Sequence, residues 1–156
     1  MIRPAHAGDA AEVREIWNRI IRDTTIIFNE TEKTHAEVAE AIATRPFLVA
    51  TEGERVLGFA TYGQLRPGDG YRFAAEHSVH LAPDAQGRGM GRALMDALIE
   101  IARANGVHTL WAGCSAENVG GIAFHERLGF TYVATLAETG RKFDRWIDLV
   151  FLVRKL

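Results

Sequence analysis

The residues of this sequence that are best suited to chemistry form one short glycine-rich segment: Gln86-Gly87-Arg88-Gly89-Met90-Gly91-Arg92. Its three glycines allow positive φ angles and let the backbone approach a ligand closely. The segment opens a predicted helix, where free amides and the helix dipole attract an anion, and Arg88 and Arg92 add positive charge. It is not a dinucleotide motif, because Arg92 occupies the third glycine position, and no Gly-Lys-Ser/Thr follows to make a P-loop. The segment therefore predicts a phosphate-binding turn, with a ligand-free connection as the alternative.

The predicted elements around this turn give the order βααβββαβαββ. Because the strands come in runs, the order is typical of an α+β fold with a mixed sheet, built as one domain over residues 1–156. Apolar residues recur with helical spacing after Asp9, the predicted cap of the first helix, and Thr34 with Glu37 forms a capping box for the second. Helices are expected from Asp9, from Thr34 to about Thr44, at 89–105 and at 119–128, and strands at 2–4, 47–51, 56–62, 75–81, 107–112, 130–136 and 143–153. The apolar face of the third helix is predicted to hold Met90, Leu94, Ala97 and Ile101.

Composition narrows the class of protein. Lysine and arginine total 18 against 20 aspartates and glutamates, so the net charge of −2 argues against a dedicated nucleic-acid binder. No apolar run reaches the roughly 20 residues of a membrane span. The single cysteine, Cys114, cannot form an internal disulfide, which indicates a reducing compartment and a cytoplasmic location.

Metal binding by histidines and nucleophilic catalysis by the cysteine are not expected from this sequence. His77 and His80 lie in one predicted strand and point to opposite faces, so they cannot chelate a metal together, and no metal is expected. Cys114 has no histidine or aspartate beside it in the sequence and follows an apolar strand, so we expect a core residue rather than a nucleophile.

A resemblance to a known family rests on two motifs in order. The pattern Gln86-x-x-Gly89-x-Gly91 resembles the pyrophosphate-binding turn of the GNAT superfamily of N-acetyltransferases, and residues 117–130 resemble its Asn…Ala-Phe-Tyr-x-x-Leu-Gly-Phe segment. Residues 24–31, 71–79 and 142–148 resemble the phosphinothricin and methionine sulfone/sulfoximine acetyltransferases. The resemblance implies a mostly antiparallel central sheet flanked by helices. It also implies acetyl transfer from acetyl-CoA to the α-amino group of a small amino-acid analogue, by direct attack in a ternary complex.

The resemblance also implies where acetyl-CoA binds. The pantetheine arm is expected beside the strand at 78–81, hydrogen-bonded like an added strand. Asn118 stands where the family bonds this arm, although asparagine is also a good helix N-cap. The cofactor-binding residues implied are Val79, His80, Leu81, Gln86, Gly87, Arg88, Gly89, Met90, Gly91, Arg92 and Asn118.

Two residues carry the catalytic roles that the resemblance implies. Glu76 is the expected general base, because an ammonium must lose a proton before it attacks and desolvation would raise the pKa of a carboxyl toward the working pH. The alternative is an ordinary solvated or ion-paired carboxylate. His125 replaces the tyrosine that protonates the leaving thiolate in many members. Its alternatives are packing near the cofactor and a hydrogen bond to a backbone carbonyl.

The acceptor site is implied by the same resemblance. Arg72 is expected to bind the carboxylate of the amino acid, since guanidinium and carboxylate pair in a bidentate way. Lys142 is an expected polar contact, and the segment 142–143 is expected from a neighbouring subunit, which implies a homodimer. The pocket walls are expected from Phe28, Phe73, Phe143 and Trp146.

Two other functions remain open at this point. A peptide or protein N-terminal acetyltransferase needs an open groove, whereas the loops at 24–31 and 64–74 are expected to close a small pocket. A non-catalytic acyl-CoA-binding module needs neither Glu76 nor Arg72.

Overall fold

A computed structural model describes residues 1–156. Seven strands form one sheet, and four helices lie in the order that the sequence predicts. The strands are β1 Ile2–Pro4, β2 Phe47–Glu52, β3 Arg55–Gln64, β4 Ala74–Leu81, β5 Thr109–Ser115, β6 Thr131–Lys142 and β7 Arg145–Lys155. The helices are α1 Ala10–Asp23, α2 His35–Thr44, α3 Met90–Ala104 and α4 Val119–Arg127, with short 3₁₀ turns at Ala7–Asp9, Asp69–Tyr71 and Pro83–Ala85.

The sheet has the order β1-β2-β3-β4-β5-β7-β6. Every neighbouring pair is antiparallel except β4 and β5, which run parallel. The predicted α+β class and the mostly antiparallel sheet are therefore confirmed.

Helices cover both faces of the sheet, and each face has its own apolar core. Leu94 and Leu98 of α3 pack with Leu110 of β5 and Leu152 of β7. On the opposite face, side chains of α1 and α2 pack with Leu57 and Phe59 of β3. The buried face of α3 holds Leu94, Met95, Leu98, Ile99 and Ala102, so Leu94 is confirmed as a member of this face. The other predicted residues, Met90, Ala97 and Ile101, are half-buried and pack at the margin of the same core.

The first two helix caps had different outcomes. The capping box of α2 is confirmed, because Glu37 N donates to Thr34 Oγ1 and Thr34 N donates to Glu37 Oε2. The predicted cap of α1 is wrong, since the Asp9 carboxylate makes no cap hydrogen bond there. Asp9 instead accepts two hydrogen bonds of 2.8 Å from the Arg3 guanidinium, which lower the pKa of this carboxyl.

The predicted bounds fail most in the last three strands. β5 runs on through Gly113, Cys114 and Ser115, which carry no strand signal, because β7 pairs with it along its whole length. β6 likewise continues past Leu136 to Lys142 through pairing with β7, with an irregularity between Leu136 and Gly140. Phe143, the predicted start of the last strand, lies with Asp144 in a two-residue turn at φ angles of 50° and 60°. Two positive φ angles are typical of the tight hairpin turn that matches strand twist.

Candidate active site

The site opens where β4 and β5 separate. The two strands pair only over Ala74–Glu76 and Thr109–Trp111, yet β4 continues to Leu81 and β5 to Ser115. Beyond Glu76, β4 is paired on its β3 side alone. Its other edge therefore presents free backbone groups, which an extended ligand can bond as an added strand would.

The glycine-rich turn lies at the N-terminus of α3 and exposes its backbone. Gly87 and Gly89 have φ angles of 72° and 80°, and a Cβ on either would meet no atom within 4 Å. Gly91 differs, because a Cβ there would touch Leu81 and the Phe124 ring at 3.4–3.5 Å, so its role is close packing. Open amides at positive φ beside a helix N-terminus form the anion-binding geometry predicted from the sequence.

The two predicted arginines of the turn are already paired. Arg88 Nη2 lies 2.5 Å from Glu52 Oε1, and Arg92 Nε lies 3.7 Å from Asp96 Oδ2. Arg127, which sequence reasoning missed, lines a cavity of about 310 Å³ with Gly87, Gly89 and Arg92 and forms no ion pair. It lies in the last turn of α4, two residues after His125, in the segment where only Asn118 and His125 had roles predicted from the sequence.

Two larger cavities adjoin at the separated strands. One, of about 990 Å³, runs along Val79–Leu81 to Gln86 and Gly91, and the other, of about 370 Å³, contains Glu76 and Phe28. The residues that line both are Ile26, Val79, His80, Asn118 and His125. An elongated ligand in the first cavity and a small one in the second would thus meet at β4.

Glu76 points into the smaller cavity without a hydrogen bond or ion pair from any side chain. Desolvation raises the pKa of its carboxyl above the usual 4.5. A Cβ on Gly113 of β5 would lie 2.9 Å from Glu76 Oε1, so a side chain there would displace the carboxylate. Glu76 thus forms no ion pair, so the ion-paired alternative does not describe it, whereas its side chain is partly exposed to solvent in this structure.

Asn118 serves as the N-cap of α4 and lines both cavities. Its Oδ1 accepts from Gly121 N at 3.0 Å, and its side chain occupies the space above the Gly121 Cα. Its Nδ2 makes no hydrogen bond within the chain, so the capping role leaves a donor for a ligand.

His125 has both ring nitrogens occupied. Its Nδ1 lies 2.7 Å from the Gly121 carbonyl oxygen, which can only accept, so Nδ1 carries the proton and donates. Its Nε2 then accepts from Nε2 of His77 at 3.1 Å. Burial lowers the pKa of both rings, most strongly that of His77, whose Nδ1 has no partner. The structure thus shows the carbonyl hydrogen bond that was one alternative for His125, and a neutral ring in this state holds no free proton for a thiolate.

His80 and Cys114 stay outside acid–base chemistry. Burial and the neighbouring His125 lower the pKa of His80 to about 4. Cys114 is buried in the core as expected, and the fold brings His125, which is not its neighbour in the sequence, to 3.6 Å between Sγ and Nδ1. That nitrogen already donates to Gly121, and burial raises the pKa of Cys114 to about 11, so the thiol stays protonated.

The predicted acceptor residues separate into two groups. Only Phe28 lines the smaller cavity, whose other walls include Trp17, Asn29 and Lys33, all missed as site residues. Trp17 was predicted from the sequence to lie on the apolar face of the first helix. The position of Lys33 is fixed by the Asn18 side chain, which accepts a hydrogen bond from Lys33 N at 2.7 Å and donates one to Lys33 O at 2.9 Å. The predicted residues that do not line it are Arg72, Phe73, Lys142, Phe143 and Trp146.

Of those five residues, Arg72 and Lys142 form hydrogen bonds elsewhere in this chain, and the three aromatic residues are exposed. Arg72 donates to the Asp69 carbonyl at 2.7 Å, and its guanidinium lies 4.4 Å from the centre of the Phe73 ring. Lys142, the expected polar contact of the acceptor, is 1% exposed within this chain and donates to two backbone carbonyls. Phe73, Phe143 and Trp146 are about half exposed, at 50%, 49% and 60%.

Residues 1–156 contain neither a metal-binding cluster nor a membrane-spanning helix. No cluster of three or more His, Cys, Asp or Glu side chains is arranged to hold a metal ion. No helix has the length and apolar character needed to cross a membrane.

Comparison with known proteins places this geometry in a family. Residues 12–130 match the Acetyltransferase (GNAT) family. The chain is 40% identical to an L-methionine sulfoximine/L-methionine sulfone acetyltransferase of Pseudomonas aeruginosa over 157 residues, covering 97% of this chain and 91% of that protein. A ribosomal-protein-alanine N-acetyltransferase of Brucella melitensis has a crystal structure with a TM-score of 0.96 and 38% identity, covering 100% and 99% of the two chains.

A third similar protein was solved with the cosubstrate. It is a GNAT phosphinothricin acetyltransferase of Sinorhizobium meliloti in complex with acetyl-CoA, with a TM-score of 0.95 and 32% identity, covering 100% of this chain and 88% of that one. The free edge of β4, the open glycine turn and the family match agree with one another, and the chain belongs to the GNAT family of acetyltransferases.

Proposed function

We propose that this protein transfers the acetyl group of acetyl-CoA to the α-amino group of a small amino-acid analogue of the methionine sulfone, methionine sulfoximine or phosphinothricin type. The observation that carries the proposal is the junction of two cavities at β4, with the unpaired Glu76 in the smaller one. Relatives with these three acceptors in their names support the choice of acceptor class.

Acetyl-CoA is assigned to the larger cavity and the glycine turn. The amides of Gly87 and Gly89 are available for the pyrophosphate, and the free edge of β4 for the pantetheine arm. Asn118 Nδ2 is a further donor, and Arg127 joins Arg92 as a source of positive charge.

Glu76 is assigned as the general base. Its carboxylate takes a proton from the acceptor ammonium, directly or through a water, and the neutral amine then attacks the thioester carbon. As the C–S bond breaks, the proton still carried by the attacking nitrogen balances the charge of the thiolate. A separate acid is therefore not needed, and we assign His125 to support of the groove rather than to proton donation.

Arg72 keeps its proposed role as the residue that binds the acceptor carboxylate. Its guanidinium is exposed and bonded only to the Asp69 carbonyl and the Phe73 ring, so it is free to take a carboxylate. Replacement by lysine should raise the KM of the amino acid far more than that of acetyl-CoA, because the bidentate fork is lost. Equal increases in both KM values would remove Arg72 from this role.

A homodimer in the cytoplasm completes the proposal. Exposed apolar side chains cluster on β6 and around the β6–β7 turn: Tyr132, Val133, Leu136, Phe143 and Trp146. Exposed apolar patches of this kind mark protein contacts. Light scattering after gel filtration should give twice the 17.2 kDa chain mass, and Trp146→Lys should shift it toward the monomer. A wild-type monomer would contradict the dimer.

A second function has one observation in its favour. The similar Brucella protein bears the name ribosomal-protein-alanine N-acetyltransferase, and this name indicates a protein rather than a free amino acid as acceptor. The smaller cavity, of about 370 Å³ and lined on one side by Ile26, Ile27 and Phe28, favours a free amino acid over a chain by its size.

A thiol-release assay separates these functions. Acetyl-CoA is supplied with methionine sulfone, methionine sulfoximine, phosphinothricin, the common amino acids, or an alanine-initiated peptide. We expect turnover of at least one of the three analogues and none of the peptide. Turnover of the peptide alone would favour the second function. Calorimetric binding of CoA with no turnover of any amine would favour a non-catalytic acyl-CoA-binding module.

A further inference from the structure

We infer that Lys142 and Gly140 are positioning residues, which hold the segment of residues 24–31 as a wall of the acceptor cavity without touching the acceptor. The inference rests on the proposed function for what that cavity holds. The wall itself is an observation, because Ile26, Ile27 and Phe28 line the cavity that contains Glu76.

Lys142, at the end of the edge strand β6, joins the middle of this wall to the helix that precedes it. Its Nζ donates to the carbonyl oxygens of Ile21 at 2.5 Å and Ile27 at 2.6 Å. Ile21 lies in the last turn of α1, where carbonyls lack helical partners and the helix dipole favours a cation. One ammonium thus caps α1 and fixes the loop that leaves it.

The burial of Lys142 excludes a direct contact with acceptor in this conformation. Its side chain is 1% exposed and does not line the cavity. It forms no ion pair, so its hydrogen-bond partners are two backbone carbonyls from the wall and the helix before it. A buried ammonium with this partner set stabilises a backbone path rather than a ligand.

Gly140 fixes the position of the Phe28 ring. A Cβ on Gly140 would lie 2.5–2.7 Å from three atoms of that ring, a distance that real Cβ atoms do not adopt. The φ angle of Gly140 is not positive, so the need for glycine at this position comes from Phe28 and not from the backbone. The ring can occupy its place in the wall only because β6 has no side chain there.

Further contacts fasten the same wall along its length. Phe143 N donates to Glu30 Oε1 at 3.2 Å, and Thr25 Oγ1 donates to Glu117 Oε1 at 2.8 Å. Glu117 is in turn bonded by the Arg145 guanidinium. These bonds are exposed and individually weak, which leaves Lys142 and Gly140 as the buried determinants.

The test compares two variants with matched controls in acetyl transfer to the preferred acceptor. Lys142→Met keeps the length of the side chain and removes its donors, with exposed Lys155→Met as control. Gly140→Ala adds one methyl group against Phe28. Its control is Gly63→Ala, where the new Cβ would meet only Arg45 Nη1 at 3.9 Å.

We expect each test variant to raise the acceptor KM by about tenfold or more, because loss of binding that is equal in ground and transition states appears in KM. The KM of acetyl-CoA should stay within about twofold, since the glycine turn is untouched. Hydrogen exchange of amides 24–31 should be faster in Lys142→Met than in wild type. Both controls should match wild type.

A double-mutant cycle keeps the inference falsifiable if Lys142→Met fails to fold. In a Phe28→Leu background the clash is relieved, so Gly140→Ala should add little to the acceptor KM. Equal effects of Gly140→Ala in both backgrounds would overturn the role of Gly140. A folded Lys142→Met protein with the wild-type acceptor KM and wild-type exchange at 24–31 would overturn the role of Lys142.

Failure of the proposed function gives a different result. In that case the wild-type protein acetylates none of the amino acids, whereas exchange at 24–31 still distinguishes Lys142→Met from wild type. Unchanged exchange would contradict the positioning role whatever the acceptor.

Discussion

The sides of this site that we assign to acetyl-CoA and to the acceptor, here called the cofactor side and the acceptor side, are built in different ways. The cofactor side is mainly backbone: open amides at Gly87 and Gly89 and the free edge of β4, all within residues 78–91, with the side chains of Asn118, Arg92 and Arg127 added to them. The acceptor side consists of side chains and loops joined across the chain, such as Lys142 to Ile21, 121 positions apart. A binding surface made of backbone groups suits a cosubstrate that is common to a family. A surface made of side chains from distant segments can be altered to bind another acceptor, and such changes leave the cosubstrate surface intact.

Removal of the Glu76 carboxylate should give the largest difference between the two sides, because it should affect turnover of the acceptor and not the binding of acetyl-CoA. Glu76→Gln should lower kcat/KM for the acceptor by about 10²–10⁴-fold, the usual range for a general base. The affinity for acetyl-CoA, measured by calorimetry, should not change. The control is Glu54→Gln, an exposed glutamate in the turn between β2 and β3. A wild-type rate in Glu76→Gln would place the base elsewhere.

Gly113→Ala tests whether the position of that carboxylate matters as well as its presence. The new Cβ would lie 2.9 Å from Glu76 Oε1 and would push the carboxylate aside. A displacement of about 1 Å at a reacting group costs up to about 10²-fold in rate, so kcat should fall by tenfold or more. The KM of acetyl-CoA should be unchanged. Steady-state kinetics of Gly113→Ala are compared with those of the control Gly63→Ala. Equal kcat values for the two variants would show that the Glu76 carboxylate can avoid the new Cβ without loss of function.

Gly89→Ala should weaken the binding of acetyl-CoA rather than that of the acceptor. Gly89 has a φ angle of 80°, where an alanine is strained by about 1–2 kcal/mol. We expect the KM of acetyl-CoA to rise by about tenfold, the equivalent of about 1.4 kcal/mol, with a smaller change in the acceptor KM. A rise confined to the acceptor KM would contradict the separation of the two sides.

The histidines of β4, His77 and His80, should make the fold less stable in acid. The pKa values of His77 and His80 are lowered, that of His80 from 6.5 to about 4, chiefly by burial. The unfolded chain therefore binds more protons than the folded one between these values, and the free energy of unfolding should fall as the pH drops from 6.5 toward 4. Thermal unfolding from pH 7 to 5 should show a falling Tm. His77→Gln should flatten the dependence, whereas exposed His108→Gln should not.

The same contrast explains what the sequence predicts of this molecule. The glycine turn, the capping box of α2 and the order of elements depend on neighbouring residues, and they are visible in the sequence. The ends of β5 and β6 depend on pairing with β7, so Gly113–Ser115 and residues 137–142 gave no strand signal.

The acceptor side was harder to predict for the same physical reason. Lys142 and Phe28 were recognised by resemblance, but the contact between Lys142 and the carbonyls of Ile21 and Ile27 joins segments more than 100 positions apart. The exposure of Arg72 and the neutral state of the His77–His125 pair likewise follow from packing, which no local pattern contains.

The central claim is that Glu76 accepts the proton of the acceptor amine, and the pH profile of kcat/KM tests it most directly. With methionine sulfone, or whichever analogue turns over fastest, the wild-type rate should fall on the acidic side through a pKa above 4.5, because Glu76 must be ionised to accept a proton. Glu76→Gln should lose this limb and run lower throughout the range. Two profiles of the same height and shape would contradict the account.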